Sequence, residues 1–161
     1  MSGAPHEKPV RAPGSATRAI GVFLIFIVIG PAIAAFLAIG IFPLFGLTSL
    51  AGDIDGFIRG VGRLMAASYV VGGLQMAAIG LFAAVWQLLT GKPTISLLLI
   101  LAVSLGVAAV AIVVFVEPFS MPAPHPAIVA AAVALHVGAA IGSALIANAF
   151  LRRQQTRALA P

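Results

Sequence analysis

LQMAAIGLFAAVWQLLTGKPTISLLLILAVSLGVAAVAIVVFV, residues 74–116, decides the fold. Two uncharged apolar runs flank Thr90-Gly91-Lys92-Pro93-Thr94. Glycine ends a helix readily because it takes the left-handed conformation without steric cost, and proline opens one because its missing N–H is not needed in the first turn. The runs on either side are long enough for a hydrocarbon core about 30 Å thick, which takes roughly 20 residues of helix. The segment therefore reads as an antiparallel membrane hairpin.

Working outward, the same length criterion gives four spans: Ala19 to Phe42, Leu64 to Thr90, Thr94 to Val116, and Pro126 to Leu151. The expected fold class is an all-α membrane protein, a four-helix antiparallel bundle over 19–151. It is preceded by a disordered tail, 1–18, and followed by a basic tail, 152–161. Glu117 to Pro126 separates the third and fourth spans, because Pro118, Pro122, Pro124 and Pro126 forbid helix continuation and favour an extended chain. Between Pro43 and Arg63 the chain is half polar. Asp53 can cap a short helix there, with Asp55 and Arg59 four residues apart and Phe57, Ile58 and Val61 resting on the membrane surface. Gly52, Gly56, Gly60 and Gly62 weaken it.

Composition agrees. Of 161 residues, 61% are hydrophobic and 8% charged, too few polar groups to cover a water-soluble globule. The net charge of +5 suggests nucleic acid at first sight, but the cations cluster beside apolar runs and form no basic face interleaved with aromatics, so no nucleic-acid partner is expected. With no cysteine, disulfide exchange, iron–sulfur clusters and Cys-zinc sites drop out.

Orientation follows from the cations, which are retained in the cytoplasm. Lys8, Arg11, Arg18, Lys92, Arg152, Arg153 and Arg157 fall on one side of a four-span chain, and Arg59 and Arg63 on the other, offset by Asp53 and Asp55. Both termini are thus expected in the cytoplasm of a bacterial inner membrane. Tyr69 and Trp86 stand 17 residues apart in the second span. That is roughly 25 Å at helical rise, the spacing of two aromatic belts. The N-terminal region also resembles a signal peptide, with Ala32-Ile33-Ala34 as its cleavage site. Cleavage after Ala34 would strand Ala35 to Leu47, too short to span, so an uncleaved helix accounts for more of the sequence. Glycine at position 3 rather than 2 gives no myristoylation signal.

Helices in lipid meet through small residues. Gly30, Ala34 and Ala38 form one row, Gly73, Ala77, Gly80 and Ala84 a second, and Ala134, Gly138 and Gly142 a third. Gly73, Gly80, Gly138 and Gly142 are the packing candidates; they serve either a partner face or, more plainly, contacts among the chain's own spans. The third span has Leu, Val and Ile with Ala between, and is expected to face lipid most. Pro31, beside Gly30, and Pro43 remove helical hydrogen bonds and read as kinks, or as hinges.

No Asp, Glu, Lys or Arg lies within a span, which speaks against a proton or ion path. The deep polar residues are Gln75, Gln87, His136 and Asn148, with Ser68, Ser104 and Ser143. Gln75, His136 and Asn148 are the intramembrane candidates. His136 is suited to haem, a proton or a quinone headgroup, but a bis-histidine haem needs a second histidine at similar depth. The others are His6 in the tail and His125 in the proline-rich loop. The plainer reading is a neutral His136 hydrogen-bonded to Gln75, Asn148 or a backbone carbonyl. Asp53-x-Asp55-Gly56 begins like a calcium loop but lacks the closing Glu. There is no phosphate loop, no Ser/His/Asp arrangement and no paired carboxylate in a protected site, so no catalytic, metal or cofactor site is expected.

Gly30-Pro31-Ala32 and Ser68-Tyr69-x-x-Gly72-Gly73-Leu74-Gln75 resemble segments of short four-helix inner-membrane proteins of Gram-negative bacteria that have no assigned activity. The resemblance implies a multi-pass membrane location and carries over no functional residue. The expected role is a non-enzymatic accessory, assembly or interaction subunit, partnered by the lipid bilayer and by other membrane subunits or itself. The alternatives are a carrier or channel for a small neutral solute, lined by Gln75, His136 and Asn148, and a haem or quinone anchor.

Overall fold

The computed structural model describes residues 15–41, 54–116 and 126–159. Among them everything is helix except the linker Gly91–Ser96, and no strand is present. The helices are α1 (Ser15–Leu24), a π-helical segment (Ile25–Ile29), α2 (Gly30–Ile41), α3 (Ile54–Thr90), α4 (Leu97–Val116) and α5 (Pro126–Leu159). Three stretches, Ala16–Gly40, Gly72–Thr90 and Val129–Arg157, are long and apolar enough to cross a bilayer. The expectations for Pro43, Asp53, His6, His125 and the proline-rich loop lie outside the described residues.

α1, the π segment and α2 form one continuous rod, and its π turn sits directly before Gly30-Pro31. Pro31 has no N–H for the Ile27 carbonyl, so a regular α-helix cannot close there. The helix widens one turn earlier instead, a known answer to a misfit in the hydrogen-bond ladder. Pro31 itself is fully buried.

The short surface helix expected before the second span is not separate. α3 runs unbroken for 37 residues. No proline interrupts Ile54–Thr90, and isolated glycines cost only about 1 kcal/mol each, which does not stop a helix that has packing partners. At its far end the expected glycine stop is present. Gly91 takes φ +62°, and its N–H donates to the Gln87 carbonyl at 2.9 Å, a left-handed C-cap. The next helix starts later than Pro93-Thr94 suggests. Ser96 is its N-cap: the Ile100 N–H donates to the Ser96 carbonyl at 3.1 Å, and the Leu99 N–H reaches Ser96 Oγ at 3.5 Å. α5 likewise continues through Arg152, Arg153 and Arg157, where a tail was expected.

Close approaches fix the register. A Cβ on Gly21 would meet the Phe150 ring, one on Gly30 would meet Met76 Sδ and Ser143 Oγ, one on Gly142 Ile33, and one on Gly138 Leu37. The rod and α5 therefore run antiparallel, their paired residues stepping in opposite directions. Gly80 pairs with Phe23 and Phe26 while Met76 pairs with Gly30, so α3 is antiparallel to the rod as well. The rod is sandwiched between α3 and α5, and α4 stands at the margin, chiefly on α5. There Leu98 and Val110 are 78% and 63% exposed. The core consists of Val22 and Phe26 from the rod, Met76, Ile79 and Ala83 from α3, Ile95 and Ile100, and Ala139, Ala140, Ala144, Ala147 and Leu151 from α5. α5 thus presents small side chains over a broad arc, wider than the single row of glycines; Ala134, the expected start of that row, is exposed.

Candidate functional site

The polar candidates are best located by the helix levels they occupy. Met76 and Ser143 both flank Gly30, so Gln75, beside Met76 and half-buried, lies at the level of Ser143. His136 is seven residues from Ser143 along α5 and Asn148 five residues the other way. At 1.5 Å per residue these are about 10 Å and about 7 Å along the axis. Gln75, His136 and Asn148 consequently occupy three levels and do not line one site.

Asn148 has a specific task. Its Oδ1 accepts the Ile95 N–H at 2.6 Å, and its Nδ2 donates to the Ile95 carbonyl at 3.0 Å. A primary amide matches the donor and acceptor of one main-chain residue, so both halves of the side chain are satisfied together. The clamp ties the α3–α4 linker to α5. It also explains the late start of α4: with Ile95 held by Asn148, the first residue free to cap a helix is Ser96.

His136 is buried on α5, with its ring against the main chain of Ser104, which is itself buried on α4. The Ser104 hydroxyl donates back to the Leu101 carbonyl at 3.0 Å. Three buried polar atoms have no hydrogen-bond partner among the described residues: His136 Nε2, Ser143 Oγ and Gln87 Oε1. They too are dispersed. Gln87 is in the last turn of α3, eleven residues beyond Met76, which is about 16 Å from the Ser143 level. Among the described residues no group of three or more His, Cys, Asp or Glu side chains is placed to hold a metal ion.

Tyr69 is a polar contact that sequence reasoning assigned elsewhere. Its hydroxyl donates to the Val28 carbonyl at 2.5 Å, inside the π segment near the middle of Ala16–Gly40. Pro31 signals a disturbed helix in this region, but the carbonyl it leaves without a partner is that of Ile27, so it does not single out Val28. Tyr69→Phe is expected to lower stability by about 1 kcal/mol, the usual worth of one such bond, as read from unfolding in mixed detergent.

Of the packing candidates, Gly80 is buried with Phe26 Cβ 2.7 Å and the Phe23 carbonyl oxygen 3.3 Å from where its Cβ would stand. Gly138 and Gly142 take the ends of Leu37 and Ile33 at 2.8 Å and 3.0 Å. At Gly73 no such neighbour lies within 4 Å among the described residues.

No family model matches this sequence, and no curated protein or solved structure is significantly similar to it. The site must be read from its own geometry. That geometry is of fastening: side-chain polar groups close one helix or linker onto another.

Proposed function

We propose that this chain is a four-span protein of the bacterial inner membrane, with both termini cytoplasmic, that acts by contact as a non-enzymatic accessory or assembly subunit of a membrane complex. α4 supports the fourth span: its 20 residues make about 30 Å of helix, the thickness of a hydrocarbon core. Antiparallel packing of successive helices then returns the C-terminus to the side of the N-terminus, where the cations of α1, the linker and α5 gather.

The observation that carries the contact role is the use made of Asn148. The candidate best placed to present an amide to a solute has both of its polar groups occupied by Ile95, and Gln75 and His136 stand at other levels. With Asn148 committed to Ile95, a solute path through this interior loses one of its three expected lining groups, and the group serves instead to fasten helices. Function then falls to the outer faces. On α3, Val70 and Leu74 are 80% and 76% exposed, and nearby Gly73 has open room for a neighbouring backbone, the arrangement through which membrane helices approach one another.

The test is the composition of the particle extracted in mild detergent from cells expressing the tagged chain at native level. A second polypeptide in fixed ratio is expected, and Gly73→Leu is expected to release the chain from it while leaving the bundle folded. Recovery of a lone monomer, or solute flux through liposomes carrying the monomer alone, overturns the proposal. A particle containing only copies of this chain replaces the foreign subunit by a homo-oligomer.

A further inference from the structure

We propose that the end of the bundle where α1 begins and α5 emerges is a binding collar for anionic phospholipid headgroups. The inference rests on the chain being embedded in a membrane, but not on the accessory role.

Five cations from three separate parts of the sequence meet at this end. Arg18 is in α1, Lys92 in the α3–α4 linker, and Arg152, Arg153 and Arg157 in the last turns of α5. Two contacts bring them together. Gly21 lies against the Phe150 ring, which sets the start of α1 beside the end of α5, and Asn148 holds Ile95, which sets the linker against the same stretch of α5. Lys92, Arg152, Arg153 and Arg157 are exposed. The one Asp or Glu among the described residues, Asp55, stands in the first turn of α3, at the opposite end.

The packing holds these charges at a fixed height. Leu151 is 1% exposed, so α5 remains seated in the bundle up to the residue before Arg152. Beyond it the helix persists to Leu159 rather than unravelling, which keeps Arg153 and Arg157 one turn apart on the same face. Like charges at that spacing repel. An anion between them removes the repulsion, and the phosphates of a leaflet surface are the anions present in quantity at that height. Each Lys or Arg near an anionic leaflet is worth about a fivefold gain in lipid binding, and the effect decays within a Debye length.

Trp86, the sole tryptophan, lies in the last turns of α3 at this same end, stacked on Phe82 with ring centroids 6.4 Å apart. It is a built-in reporter. The full chain is reconstituted into phosphatidylcholine vesicles in which either brominated phosphatidylglycerol or brominated phosphatidylcholine replaces part of the lipid, and quenching of Trp86 is compared at equal mole fraction. The expected result is a relative affinity of at least about five, the worth of one cation, in favour of the anionic lipid, falling as salt is raised. It should fall several-fold in the triple variant Arg152→Gln, Arg153→Gln, Arg157→Gln, which keeps Arg18 and Lys92, and be retained in the corresponding triple Arg→Lys variant. Equal quenching by both lipids in the native chain overturns the proposal, as does an undiminished preference in the glutamine variant. Quenching by neither lipid overturns the membrane embedding together with it.

Discussion

Gly80→Ala is expected to destabilise the bundle by about 1–3 kcal/mol, while Gly73→Ala, two turns earlier on the same helix, leaves it unchanged or slightly more stable. The added methyl at position 80 would stand 2.7 Å from Phe26 Cβ and 3.3 Å from the Phe23 carbonyl oxygen. Neither can step aside as the end of a flexible side chain can: a Cβ moves only with its backbone, and both belong to one rigid helix. α3 and the rod must therefore separate. At Gly138 the same substitution meets only Leu37 Cδ1, which can rotate away, so a smaller loss is expected there. At Gly73 the methyl enters free space and removes backbone freedom from the unfolded chain. The check is the unfolding free energy of the three alanine variants in bilayers or bicelles by steric trapping, and the predicted order is Gly80 worst, then Gly138, then Gly73. Equal losses at Gly80 and Gly73 would mean that the packing of α3 on the rod is not as described.

Asn148→Ala is expected to cost about 2 kcal/mol. Two hydrogen bonds go at once, and the Ile95 N–H and carbonyl are left at the foot of a helix without their partner. Asn148→Asp separates the two halves: the acceptor for the Ile95 N–H remains, the donor to its carbonyl does not, and a carboxylate is added. It should lie at or beyond the alanine variant, whereas a weakened single bond would leave it between alanine and wild type. Faster hydrogen exchange at the Ile95 amide in Asn148→Ala is the local signature. Unchanged exchange there, with or without a stability loss, would refute the clamp.

The helical class was legible in the length of the apolar runs, and so was the turn at Gly91, because a helix stop of that kind is chosen by one residue and its immediate neighbours. Of the small residues singled out on the first, second and fourth spans, Gly30, Gly80, Gly138 and Gly142 stand at close approaches between helices, while Gly73 and Ala134 do not. What stayed hidden depends on pairs distant in sequence. Asn148 looked like one more deep amide, since nothing near it indicates a partner 53 residues away in the chain. The position of Tyr69 in its run gives no sign that its hydroxyl bonds Val28, 41 residues earlier. Pro31 announced a disturbed helix, but not that the misfit would be absorbed as a π turn ahead of it. The division of one glycine row into a filled end at Gly80 and an open end at Gly73 depends on where the rod runs relative to α3, which no local pattern specifies. The continuity of α3 through Gly56, Gly60 and Gly62 was obscured for the opposite reason: local propensity argued for a break that the helix as a whole overrides.

The Asn148–Ile95 clamp has a consequence for biogenesis. The linker is synthesised 53 residues before the side chain that completes it, so the turn between α3 and α4 stays unfastened until α5 arrives. α5 therefore fastens a turn that is made earlier in synthesis.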